Sequence, residues 1–220
     1  MTRDAPSDLF LILLSGDVTV TERLRRQIDG ARVIAADRGM RHAGALGVTP
    51  ELWVGDFDSA DAHLQATWRT VERELHPAAK NATDGEIAVD AALRRGARSI
   101  VIAGPFGGAR SDHAFSHLAT GLALAEKGTE VMLTSGEEEA YPLIGAPLTL
   151  DLPAGSLFSV LAFTDVENLS IAGARYPLAS HFAAFGDTRT ISNVAEGPVT
   201  FSHAGGRAMV MARPFDRSGA

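Results

Sequence analysis

The first 136 residues carry apolar runs that close on a glycine or a polar residue and alternate with stretches of helical periodicity. "DLFLILLSGD" (Asp8–Asp17), "ARVIAAD" (Ala31–Asp37), "ELWVGD" (Glu51–Asp56), "VERELH" (Val71–His76), "RSIVIAG" (Arg98–Gly104) and "EVMLTSG" (Glu130–Gly136) read as six strands. Between them lie helices. "TERLRRQID" has Thr21 as its cap, "RGMRHAGALG" ends at Gly47, and "SADAHLQATWRTV" has Ser59 as its cap. "TDGEIAVDAALRRG" turns Ile87, Ala88, Ala91 and Ala92 to one face, and "DHAFSHLATGLALAEKG" is the longest. Strands alternating with helices predict a mostly parallel sheet with helices on both faces.

The pattern changes near Tyr141. From there the 3.6-residue period is gone. "LTLDL", "SLFSVLAF", "ENLSIAG", "GPVTFSH" and "RAMVMARP" read as antiparallel strands broken by Pro and Gly. The expectation is an α/β domain over residues 1–140 and an all-β domain over 141–220, with the boundary in "EEEAYPLIG".

Composition narrows the function classes. Hydrophobic residues make up 45% and charged residues 21%, the balance of a soluble globular protein. No apolar run approaches the length of a membrane span, and "MTRDAPSDLF" places Asp4 and Asp8 where a signal peptide has a basic start. The lack of cysteine excludes disulfides, thiolate metal sites and a cysteine nucleophile, and fits a cytoplasmic protein. A net charge of −7 without a Lys/Arg cluster argues against a nucleic-acid partner.

The chemistry collects at the strand ends. In an open parallel sheet, ligands bind outside the carboxyl ends of the strands, and nearly every predicted end carries a Gly or an Asp. "WVGDFDSAD" crowds Asp56, Asp58 and Asp61 together, a repulsive arrangement unless it holds something positive. In an extended segment Asp56 and Asp58 would point the same way, and oxygen ligands without His or Cys suit Mg²⁺. The alternative is a solvated turn that caps the next helix. "KNATDGE" adds Lys80, the only lysine in the first 126 residues, and Asp84, which equally suits a helix dipole. "GPFGGARSDHAFSH" offers glycines for close backbone approach, with Arg110 and His113; it matches neither GxGxxG nor a Walker loop.

"AADRG", "PELWVGDFDS", "KNATDGEIA" and "GGARSDH", followed by "ENLSIAGARYPL" and "FGDTRTISN", resemble the thiamine pyrophosphokinase family in order and spacing, from about Ala35 to Asn193. The resemblance implies an N-terminal α/β domain, a C-terminal β-sandwich and a homodimer. It also implies that ATP and thiamine give AMP and thiamine diphosphate with Mg²⁺. Asp56 and Asp58 fall on the family's metal-site pair, Asp84 on the Asp of its "TD" element, and Asp37 on the Asp after the second strand. Lys80, Arg110, Asp112 and His113 fall on its polar cluster around the ATP phosphates. Ser192 and Asn193 match the pair near thiamine, and Tyr176 stands where an aromatic wall is usual.

Three places depart from the family pattern. Asp37-Arg38-Gly39 replaces Asp-Gly-Gly, the glycine loop before Asp112-His113 carries one extra residue, and His117 stands where an Asn is common. Asp37 and Asp84 are the candidates to take the proton of the attacking hydroxyl. The cationic thiazolium leads us to expect an acidic, aromatic-lined pocket. Other classes consistent with the residues are a DxD glycosyltransferase or another Mg²⁺-dependent nucleotide-using transferase, and a non-catalytic nucleotide- or thiamine-binding module. A phosphatase with its nucleophile after the first strand is disfavoured, because that strand ends in "SGD" rather than DxDxT.

Overall fold

The computed structural model describes residues 7–57, 62–76, 82–107 and 110–218. It divides into two compact units, Met1–Ala114 with Leu133–Gly136, and Phe115–Met132 with Glu137–Ala220.

The first unit is built on a parallel sheet. Its elements are β1 (Leu9–Leu13), α1 (Glu22–Gln27), β2 (Arg32–Ala36), a 3₁₀ turn (Asp37–Met40), α2 (Arg41–Leu46), β3 (Leu52–Gly55), α3 (Ala62–Thr67), β4 (Glu72–Leu75), α4 (Asp84–Arg94) and β5 (Ser99–Ala103). The spatial order is β5-β1-β2-β3-β4, and every pairing is parallel. The end of β6 (Glu130–Thr134) lies beside β5, where the Gly104 N–H donates to the Thr134 carbonyl at 3.0 Å. The side chains of the central strands are apolar except where β2 and β5 begin, at Arg32 and Ser99. Phe10, Leu11, Ile12, Leu13, Ile34, Leu52, Trp53 and Ile100 are completely buried.

Local rules set the helix ends. The Thr21 hydroxyl accepts the Leu24 N–H at 3.1 Å and starts α1. Gly47, at φ +74°, ends α2 in the left-handed region. Thr83 and Glu86 form a reciprocal capping box on α4, at 2.8 and 3.2 Å, worth about 1 kcal/mol. The face of Ile87, Ala88, Ala91 and Ala92 is buried as the period predicts, and α4 packs on β1, β2 and β3.

At the amino edge of the sheet the charges pair. Glu51, just before β3, accepts Nε and Nη2 of Arg32 at 2.9 and 2.8 Å and Nη1 of Arg95 at 2.9 Å. Arg95 also reaches Glu72 at 3.4 Å, and Arg32 lies over the Phe10 ring at 4.4 Å. Burial works against the Glu51 charge, but the two guanidiniums outweigh it and hold its carboxyl below the ordinary range. One strand differs from the sequence reading. β4 is no apolar run but an exposed edge of alternating charge, "EREL", with Leu75 71% exposed.

In the second unit α5 (Ser111–Glu126) contributes its residues from Phe115 onward. The strands β7 (Glu139–Leu143), β8 (Leu148–Leu150), β9 (Leu157–Ala162), β10 (Val166–Ala174), β11 (Leu178–Ala183), β12 (Asn193–Ser202) and β13 (Ala208–Arg213) follow. All their mutual pairings are antiparallel, in the order β7-β13-β9-β12-β10-β11, with β8 added to β12. β12 joins two sheets. Asn193 and Val194 pair with β9, while Val199–Phe201 pair with β8. Both sheets close on one core, where Phe158 and Phe201 meet edge to face at 5.3 Å. The stretch taken as the domain boundary is itself strand β7, and β11 was not anticipated. No helix among the described residues is long and apolar enough to cross a membrane.

Candidate functional site

The carboxyl edge of the parallel sheet is where the first unit's loops converge, and its glycines explain how closely. A Cβ on Gly16 would strike the Phe106 and Gly104 carbonyls at 2.3 and 2.4 Å, and one on Gly39 the Leu13 carbonyl at 2.1 Å. These contacts knit the ends of β1, β2 and β5 together. Two further glycines seat carboxylates. A Cβ on Gly55 would fall 1.9 Å from Asp37 Oδ1, and one on Gly107 2.5 Å from Asp17 Oδ2.

Asp37 opens the turn after β2 at φ +44°, in the left-handed region. Its backbone carbonyl accepts the Trp53 indole N–H at 2.8 Å, and its Oδ1 is shielded from solvent. Asp56 follows β3 and is half-buried. Phe57 then takes φ +61°, so the backbone leaves the extended conformation at that residue. The Phe57 ring meets Trp53 edge-on at 5.0 Å. Arg73 of β4 caps both rings at 5.3 and 5.0 Å. Trp53 thus fixes both the Asp37 carbonyl and the residue after Asp56.

Asp84 is the first residue of α4 and is half-buried. Arg110 binds Asp112 through two hydrogen bonds, at 2.9 and 2.7 Å, on an exposed stretch at the start of α5. The Arg110 fork holds the Asp112 carboxyl far below its ordinary range. His113 is exposed beside them. Asp58 and Lys80 lie outside the described residues. Among the described residues, no three carboxylates or histidines gather closely enough to hold a metal ion.

Sequence reasoning passed over Arg41 and His42. Arg41 Nη2 donates to the Ser15 and Gly16 carbonyls at 2.8 and 3.2 Å, and His42 Nε2 contacts the Gly16 carbonyl at 2.9 Å. Burial pushes the His42 pKa down, which favours the neutral ring with Nε2 as donor. Nothing in "RGMRHAG" signals that an arginine and a histidine will pin the loop after β1.

In the second unit the structure brings Tyr176, Ser192 and Asn193 together. The buried Asn193 side chain accepts the Tyr176 N–H at 3.1 Å and donates to the Tyr176 carbonyl at 2.8 Å. Ser192, at φ +60°, donates its N–H to Ser159 Oγ at 3.0 Å. Tyr176 itself is 62% exposed and borders a hollow of about 460 Å³. Arg175, Pro177, Leu178 and Arg189 complete its lining. The charged residues of this lining, Arg175 and Arg189, are basic. Arg189 is positioned by Asp187, which accepts the Arg189 N–H at 2.9 Å and His181 Nε2 at 2.9 Å. Those two bonds, the backbone one first, hold the Asp187 carboxyl below its ordinary range.

Two family models match the chain. The model described as thiamin pyrophosphokinase, catalytic domain, covers residues 26–133, and that described as thiamin pyrophosphokinase, vitamin B1 binding domain, covers 147–206. A thiamine pyrophosphokinase of Bacillus subtilis is 28% identical over 192 residues, covering 83% of this chain and 87% of its own. A crystal structure of thiamine pyrophosphokinase from Bacillus subtilis superposes with a TM-score of 0.83 at 24% identity, over 94% of this chain and 99% of that one. One from Geobacillus thermodenitrificans gives 0.77 at 24%, over 96% and 99%. Yeast thiamin pyrophosphokinase gives 0.69 at 11%, over 94% and 86%. These structural likenesses establish the fold; the two family models, in order along most of its length, establish that the chain belongs to the thiamin pyrophosphokinase family.

Proposed function

We propose that the chain transfers a pyrophosphoryl group from ATP to the hydroxyl of thiamine, giving thiamine diphosphate and AMP, as a cytoplasmic homodimer. The observation that carries the reading is the pair of family matches in a single chain. The catalytic one spans the loops that carry Asp37, Asp56 and Asp84 at the carboxyl edge of the parallel sheet. A DxD glycosyltransferase accounts for neither match, and a non-catalytic thiamine-binding module leaves the match to the catalytic domain unexplained.

The hydroxyl oxygen of thiamine forms a bond to the β-phosphorus. The bond from that phosphorus to the oxygen bridging it to the α-phosphate breaks, and AMP leaves with the electron pair. The hydroxyl proton passes to a carboxylate, Asp37 or Asp84. Asp37 is half-buried and its backbone is held by Trp53, which keeps its carboxylate at the sheet edge where such a base would act. Asp56, Asp58 and Asp84 are the residues that would hold Mg²⁺, a hard cation matched to an all-oxygen donor set. When bound, the ion neutralises charge on the phosphates. Lys80, Arg110 and His113 would bind the ATP phosphates, with Asp112 in the same ATP-binding cluster orienting Arg110. Arg110 must turn part of its fork away from Asp112 to do so. Tyr176 would offer its ring to thiamine, with Ser192 and Asn193 holding the polar edge.

A second copy of the chain suits β11 and the loop after it, where Phe182 and Phe185 are 57% and 72% exposed. Light scattering on the purified chain tests the dimer. The activity is tested by incubating the chain with ATP, thiamine and Mg²⁺ and following AMP. Turnover that EDTA abolishes and excess Mg²⁺ restores is the expected result. No AMP above a thiamine-free control defeats the reading.

A further inference from the structure

We infer that Arg175 and Arg189 make the hollow beside Tyr176 an anion subsite, one that takes the diphosphate group of a phosphorylated thiamine in preference to the bare cation. The inference rests on the thiamine reading of Tyr176, Ser192 and Asn193 given above, and it names which form of that ligand the site favours.

Arg175, Arg189 and Tyr176 line the same hollow. Neither guanidinium is engaged in an ion pair among the described residues, in a chain whose net charge is −7. Asp187, whose charge Arg189 also feels, is already committed to His181 and to the Arg189 N–H. The lining is also held in place. Asn193 clasps the Tyr176 backbone from both sides, Asp187 holds that of Arg189, and Pro177 restricts the chain between Tyr176 and Leu178. Thiamine carries a positive thiazolium, so two arginines beside its ring repel it. Phosphorylation reverses the sign, because a diphosphate brings more negative charge than the ring brings positive, and an arginine fork matches phosphate oxygens. Both arginines are exposed, so the attraction is weakened by salt.

The unphosphorylated substrate is therefore held by shape and hydrogen bonds, and the product by charge as well. The product leaves slowly and competes with thiamine.

The test compares wild type with the double variant Arg175→Gln/Arg189→Gln by titration calorimetry of the full-length chain, using thiamine, thiamine diphosphate and inorganic pyrophosphate as separate probes at low and high salt. Melting curves confirm that the variant is folded. Wild type should bind thiamine diphosphate more tightly than thiamine. The variant should lose about tenfold in affinity for thiamine diphosphate and for pyrophosphate while keeping or improving its affinity for thiamine, and high salt should reproduce the loss in wild type. If the folded variant keeps the wild-type preference for the diphosphate, the subsite is refuted while the thiamine assignment stands. If wild type binds thiamine in neither form, the thiamine assignment fails, and the pyrophosphate arm alone decides whether the arginine pair binds an anion.

Discussion

The two edges of the parallel sheet use charge in opposite ways. At the amino edge, Glu51 sits between Arg32 and Arg95, and Arg95 reaches on to Glu72, so each charge faces its opposite. At the carboxyl edge the loops deliver Asp17, Asp37 and Asp56, all of one sign, and press two of them against glycines that leave room for nothing else. The first arrangement stabilises the fold. The second seats carboxylates closely against backbone, at the edge whose aspartates the proposed reaction would use. What sets the two edges apart is that one holds a network of ion pairs and the other seats its carboxylates on glycines.

The contrast is sharpest for Asp56→Asn. Its kcat should fall by at least about 10²-fold with the melting temperature unchanged or raised, read by AMP release and calorimetry. Wild-type turnover would remove Asp56 from the site. Gly55→Ala comes next. Its Cβ would collide with Asp37 Oδ1, and Gly55 sits at φ +151°, so both activity and stability should drop, the latter by about 1–3 kcal/mol in denaturant unfolding. An unchanged variant would mean that Asp37 is not seated as described. At the other edge, Glu51→Gln should cost about 1–2 kcal/mol and leave kcat intact. A loss of turnover there would erase the distinction between the edges.

The smallest effect is the acid limit of that same pair of proteins. The folded-state pKa of Glu51 lies below its ordinary 4.5, so its contribution is fully present above that value and fades as pH falls through the lowered one. The stability gap between wild type and Glu51→Gln should therefore be constant above pH 4.5 and narrow below it, in a series of denaturant melts. A gap that persists unchanged at the acid end would point to packing rather than charge.

Much of this was legible in the chain. Four of the six predicted strands of the N-terminal half are buried runs that leave no other place for their side chains, and Thr21, Gly47 and the Ile87 face follow from local rules. β4 was found, but its character was misread, because "EREL" pairs through its backbone at an exposed edge while its side chains face solvent. β7 escaped because Pro142 and a buried Glu139 interrupt its apolar pattern; Glu139 is accommodated by the Tyr141 hydroxyl at 2.7 Å. β11, "LASHFA", shows no clean alternation because most of it is exposed. At the site, the order Asp37, Asp56, Asp84 was visible, and so was the Ser192-Asn193 pair. The left-handed turns at Asp37 and Phe57 were not, since neither residue type announces positive φ. Arg175 and Arg189 are separated by thirteen residues, and only the fold of β11 back along β10 brings them to one hollow.

Among the described residues, β4 and β11 each end a run of hydrogen-bonded strands, so each leaves one ladder unpaired there. β4 guards its ladder with Glu72, Arg73 and Glu74. β11 has no such charges, but its pairing to β10 slips register twice, with Asn168 and Ser180 both left-handed at the irregularities. A kinked ribbon is a poor template for fibril growth, so these bulges would keep an exposed margin that carries Phe182 from seeding aggregates.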